Sequence, residues 1–273
     1  MKTNLILAGS ILAASLAPSA AAAPAPDCAQ RAASIGVEYE IRTPDARDPA
    51  TRRRSFGFWR TGVTVVHEYP AAGIADVWFR TADGRLKSTR YFDEAERAIE
   101  YQPGDLNHGH GLRNWSEKSQ LVSQGMIDLL REQARAAGHV AADAAKASAE
   151  GAAAAEVLGD DPCRRVEWLR GEVNGQSMLV GWMPALRIPY ALSASVGGKP
   201  IAQWRLTRLV DDGNAEIVAR QRVRARFKEI DFGDIGDAET DPFFGKLIHM
   251  GFVEHGHSGF YDSDGHAHGH DSR

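Results

Sequence analysis

The chain predicts an α+β fold: a curved antiparallel sheet or incomplete β-barrel, with a long alanine-rich helical insert covering one face. Three observations carry that expectation. Ser55 to Tyr101 reads as three or four consecutive antiparallel strands, strand patterns return after Cys163, and residues 114–158 between them are rich in alanine. A His-rich C-terminal tail completes the plan.

The N-terminus reads as a secretory signal, residues 1–22. Lys2 supplies its charge, Leu5 to Leu16 its apolar region, and Pro18 to Ala22 a small-residue cleavage site. No other run is long and apolar enough to span a bilayer, so the mature chain is expected to be soluble and periplasmic. Cys28 follows Pro26-Asp27 rather than a small-residue box, which argues against lipidation. Cys28 and Cys163 are the two cysteines. In an oxidising compartment they are most simply one disulfide, the alternative being two free thiols.

The 273-residue chain suits one large domain or two small ones, and residues 23–247 are read as a single domain. A net charge of −4 gives no reason to expect nucleic acid. The charge is uneven: from Ile230 to Arg273 nine Asp/Glu stand against two Lys/Arg, so this end is acidic.

Gln30 to Ile35 is expected to make a helical turn, Val37 to Ile41 a first strand, and Pro44 to Arg54 a loop. Phe56 to Tyr69 is aromatic and β-branched and stops at Pro70. Ile74 to Arg80, Lys87 to Phe92 and Ala98 to Tyr101 follow, with Ala82-Asp83-Gly84 as a hairpin signal. Asn114 and Glu117 are placed as helix cap and third-position partner. Leu121, Val122, Met126, Ile127, Leu129 and Leu130 recur at helical spacing. The alanine-rich run beyond them extends this as one long helix or two.

Cys163 to Arg170, Gln176 to Met183, Tyr190 to Val196 and Ile201 to Val210 read as further strands. Asn174-Gly175 and Gly197-Gly198 mark turns between them. Arg220, Arg222, Arg224, Arg226 and Lys228 occupy alternate positions, which predicts a final half-buried strand with five cations on one face. The plain reading is a solvated face balanced by cross-strand carboxylates; the sharper one is an electropositive stripe for an anionic partner such as lipid phosphates. Pro242 to Val253 is expected to be a short amphipathic helix docked on the body.

Trp59-Arg60-Thr61-Gly62-Val63, Val77-Trp78-Phe79, Arg90-Tyr91-Phe92 and Gly181-Trp182-Met183-Pro184 stand on either side of the helical segment. In layout and in these strand signatures, from Val37 to Glu229, the chain resembles the LolA/LolB-like periplasmic lipoprotein-carrier superfamily. The resemblance implies an incomplete barrel with a helical lid and an apolar cavity for acyl chains. No local motif carries over a particular binding residue. With alternating strand residues, such a cavity would be lined by Phe58, Val63, Val65, Trp78, Phe92 and Trp182. The expected function is then an exported, non-catalytic binding protein for an apolar or lipid-like ligand.

The alternative is metal handling in the tail, residues 248–273. Six of the ten histidines fall there or at its edge, from His249 to His270. His255 and His257, and His266, His268 and His270, have the spacing that lets alternate imidazoles of an extended chain reach one ion, and Zn, Cu or Ni would suit them. His108-Gly109-His110 is a shorter tract. A flexible tail with weak, unselective affinity is the plainer reading.

Enzyme templates do not fit. His67-Glu68 lacks the second histidine of a zinc helix, and His67 reads as a satisfied surface residue. Gly256-His257-Ser258-Gly259 is one residue short of a nucleophile elbow. Asp262-Ser263-Asp264-Gly265 has the wrong spacing for an EF-hand. No glycine-rich phosphate loop follows a strand.

Overall fold

The structure, a computed structural model, describes residues 27–44, 52–107, 114–136, 158, 160–238 and 240–249, with 260–261 and 267–268. The predicted signal segment, the His108-Gly109-His110 tract, residues 137–157 of the alanine-rich run, and His255, His257, His266 and His270 lie outside the described residues. His268 is described in its backbone alone.

Eleven strands form one sheet. They are β1 Ser34–Thr43, β2 Arg52–Thr61, β3 Thr64–Tyr69, β4 Ile74–Arg80, β5 Leu86–Phe92 and β6 Arg97–Tyr101, then β7 Glu167–Val173, β8 Gln176–Met183, β9 Ile188–Val196, β10 Lys199–Val210 and β11 Lys228–Asp231. Their spatial order is β11-β6-β5-β4-β3-β2-β1-β10-β9-β8-β7, so the two ends do not meet and the sheet stays unclosed. All pairs are antiparallel except β11, which runs parallel to β6. β1 lies between β2 and β10 and joins the meander of the first half to that of the second. In the tail, β12 Phe260–Tyr261 and β13 Ala267–His268 pair as a separate two-stranded ladder.

The turns follow from local chemistry. Asn174 and Gly175 have φ of 51° and 75°, the doubly positive pattern that a two-residue hairpin needs to match strand twist. Gly197 and Gly198, at 55° and 76°, repeat the device between β9 and β10.

Among the described residues the helices that dress the sheet are α1 Cys28–Ala33, α2 Trp115–Gln120, α3 Gln124–Ala136, α4 Gly213–Arg224 and α5 Pro242–His249. Asn114 caps α2 by accepting from the Ser116 amide. Ile127 and Leu130 of α3 are fully buried against Leu169, Val180 and Trp182. Each such side chain contributes about 1.5–3 kcal/mol of hydrophobic stabilisation. Phe244 and Leu247 of α5 pack with Ile99 and Ile235. Strand registry places α2, α3 and α5 on one face, called here the lid face. Ile217 of α4 packs on Trp59, Val66 and Ala75 on the opposite face.

Several sequence expectations are corrected. Arg52 to Arg54, expected within a loop, open strand β2 and pair with Thr43 to Ile41 of β1. Residues 220–224 are helical, not a strand. Asp212 caps α4 by accepting from the amides of Asn214 and Ala215, and the helix then sets Arg220 and Arg224 one turn apart. Both reach the sheet: Arg220 Nε lies 2.7 Å from Glu68 Oε2, and Arg224 Nε 2.9 Å from Asp93 Oδ1. The expected five-cation face therefore does not exist. Residues 162–164 form a 3-10 turn rather than the start of a strand, and β7 begins only at Glu167.

Cys28 and Cys163 form a disulfide, with Cα atoms 5.4 Å apart. Arg31 and Arg164 surround it and share Asp161 and Asp211, which ties α1, the 3-10 turn and the β10–α4 connection together. Among the described residues no helix is long and apolar enough to cross a membrane.

Candidate functional site

The lid face carries a row of side chains that neither a plain core nor a plain surface would need. Registry aligns Phe58 of β2, His67 of β3, Asp76 of β4 and Arg90 of β5 directly across four strands. His67 and Asp76 are 7% and 4% exposed. Arg90 grips Asp76 with two bonds, Nε to Oδ1 at 2.6 Å and Nη2 to Oδ2 at 2.9 Å, the paired geometry that suits a guanidinium and a carboxylate. That grip raises the Arg90 pKa above its ordinary value. His67 Nε2 lies 2.8 Å from the carbonyl oxygen of Lys118 in α2. Burial pushes its pKa down to about 4, so the ring is neutral at pH 7 and donates from Nε2. His67 is thus a buried tie to α2, not a surface residue.

Arg60 makes a second tie. It is 6% exposed, and its guanidinium donates to the carbonyl oxygens of Ala32 at 2.8 Å, Leu186 at 2.6 Å, and Ser119 of α2. Burial pushes its pKa down to about 10, which still leaves it charged at pH 7. The six-residue α2 is therefore held down by two sheet side chains bonded to adjacent carbonyls.

Beside this polar row runs a band of rings. Trp204 lies 6.0 Å from Tyr39 and 5.3 Å from Phe56, centroid to centroid, and Phe56 lies 5.3 Å from Tyr69 and 5.6 Å from His67. Tyr39 is buried and donates to the Pro189 carbonyl at 2.6 Å. Trp204 is half-buried, and Tyr69 is 39% exposed. The band thus leads from the core to solvent.

The six residues expected to line a cavity are distributed unevenly. Phe58, Val65 and Trp78 belong to one buried cluster on the lid face, with Val65 and Trp78 directly opposed. Trp182 is buried separately beneath α3. Phe92 shares the lid face but packs on Phe243 of α5, ring centroids 5.0 Å apart. Val63 sits at the β2–β3 turn, 41% exposed. A shallow groove of about 80 Å3 lies elsewhere, over β1 and β7–β10, lined by Glu40, Arg42, Trp168, Tyr190, Gln203 and Trp204 among others. It is smaller than the roughly 300–1,000 Å3 of ordinary small-molecule pockets. Among the described residues no group of three or more His, Cys, Asp or Glu side chains is placed to hold a metal ion.

Sequence reasoning missed Arg60, Asp76, Arg90 and Lys118. Cross-strand registry assembles them, and only the regular alternation of β3–β5 hinted that they share a face.

No protein-family profile and no curated protein matches the chain. Among solved structures, PNGF-II in a P21 crystal form is similar over 75% of this chain and 32% of its own, with 8% identity and a TM-score of 0.32. This chain thus spans about a third of that protein. A putative outer membrane lipoprotein-sorting protein domain from Vibrio parahaemolyticus is similar over 70% of this chain and 95% of its own, with 8% identity and a TM-score of 0.28. Superpositions this loose carry no argument about function.

Proposed function

We propose that this protein is an exported binding protein that holds an apolar or lipid-like ligand on the lid face and performs no chemistry on it. The observation that carries the reading is the ring band from half-buried Trp204 through Tyr39 and Phe56 to exposed Tyr69. Aromatic faces offer large apolar area at low side-chain entropy cost, and this band carries that area from the core to the surface. The fastening of α2 supports it: sheet side chains bonded to the Lys118 and Ser119 carbonyls hold this short helix over the lid face. The disulfide is consistent with export to an oxidising compartment.

The test is native mass spectrometry of protein purified without detergent, before and after delipidation. An adduct with the mass of an acyl compound is expected, and it should return when a fatty acid or phospholipid is added back. Delipidated protein that takes up neither overturns the reading.

A further inference from the structure

We propose that Trp78, Lys118 and Arg80 form an anchor for the oxyanion head of an amphiphile, a carboxylate or phosphate at the end of an acyl chain. The inference rests on the binding reading above and names the class of ligand. Trp78 is 5% exposed, yet among the described residues its Nε1–H has no hydrogen-bond acceptor. A buried donor left unpaired is disfavoured, and native structures hold few of them. Lys118 Nζ stands 4.3 Å from the centre of the same indole. Arg80, two positions after Trp78 on β4 and so on the same face, reaches to within 5.3 Å of the Trp115 ring of α2.

Neither Lys118 nor Arg80 forms an ion pair among the described residues. Of the nearby carboxylates, Arg90 takes both oxygens of Asp76, while Glu117 accepts from Asn114 at 3.3 Å through one oxygen and favours the charged form of Lys118 without pairing with it. Ser88, directly across from Trp78 on β5, adds a buried hydroxyl. Two cations and an unsatisfied N–H thus gather at the rim of α2, and among the described residues no carboxylate forms an ion pair with either cation, Glu117 and Asp76 acting on Lys118 only at longer range. A bound oxyanion would pair all three. Val65, Phe58 and Phe56 continue from this point across the lid face toward the ring band, on the path an acyl chain would follow.

The test is calorimetry on the delipidated full chain with oleate, oleoyl lysophosphatidate, the neutral monooleoylglycerol and inorganic phosphate. The variants are Lys118→Met, Arg80→Gln and Trp78→Phe, the last keeping an aromatic ring while removing the N–H, and thermal unfolding checks that each is folded. The anionic amphiphiles are expected to bind about tenfold more tightly than the neutral one, the effect of one added charge-assisted contact. Each variant should lower that ratio, and Lys118→Met combined with Arg80→Gln should bring it close to one. Equal affinity for all three amphiphiles in the wild type, or a preference that survives Lys118→Met and Trp78→Phe, overturns the anchor and leaves the binding reading standing. Uptake of no amphiphile overturns both. Inorganic phosphate bound while no amphiphile is taken up marks a free-anion site and overturns the assignment to an amphiphile.

Discussion

Gly36 lies beneath the indole of Trp59, its direct cross-strand partner, so that a Cβ at this position would run into the Cε3 and Cζ3 atoms of the ring. The ring cannot step aside. Its Nε1 donates to Glu68 Oε2 at 3.0 Å, and the Arg220 guanidinium lies 4.0 Å above its face. Gly36→Ala is therefore expected to destabilise the fold by about 2–3 kcal/mol through overpacking alone. Chemical denaturation of the variant and the wild type measures this, and a change below about 0.5 kcal/mol would show that the ring is free to move.

His67 makes stability depend on pH. Its folded pKa, about 4, lies below the ordinary 6.5, so between these values the unfolded chain binds the extra proton. The contribution of the neutral ring is complete above pH 6.5 and is lost as pH falls toward 4, with a slope approaching about 1.4 kcal/mol per pH unit. In His67→Gln, which retains a donor for the Lys118 carbonyl, that part of the slope should vanish. Parallel slopes for the two proteins between pH 4.5 and 6.5 would contradict the buried neutral assignment.

The Cys28–Cys163 bridge closes a loop spanning a sequence separation of 135 residues. On chain-entropy grounds its removal is expected to cost about 5 kcal/mol. The Cys28→Ser, Cys163→Ser double variant, compared with the oxidised wild type by urea denaturation, reads this directly. A loss under about 1 kcal/mol would mean that the Arg31–Asp161–Arg164–Asp211 cluster holds this junction without the bridge.

The metal alternative is tested by cutting the chain after Glu254, which removes His255, His257, His266, His268 and His270 together. Calorimetry with Zn, Cu and Ni should show binding by the full chain that the shortened chain lacks. Equal affinity for the two would dismiss the tail as the seat of binding.

The strands of the first half could be read from sequence because apolar and polar residues alternate in them and glycine or proline ends them. β8 begins and ends where the pattern places it, from Gln176 to Met183, since Asn174-Gly175 sets its start. α4 was hidden by a coincidence of spacing. Cations at 220, 222, 224, 226 and 228 imitate a strand, while Arg220 and Arg224 also satisfy the four-residue period of a helix. The deciding signal was Asp212, an N-cap that reads equally well as the turn Asp211-Asp212-Gly213-Asn214. The polar row under α2 was not legible for another reason. Asp76 and Arg90 meet only once β4 and β5 are in register, and Lys118 joins them from a separate helix.

The placement of β1 between β2 and β10 has a consequence for how the chain reaches this shape. One flank of β1 finds its neighbour at once, in the next strand. The other must wait until most of the sequence is available, since β10 is the last strand of the second meander. Until then a hydrogen-bonding border rich in Ile35, Val37 and Tyr39 stands bare, so assembly should be slow and prone to wrong partnering between molecules.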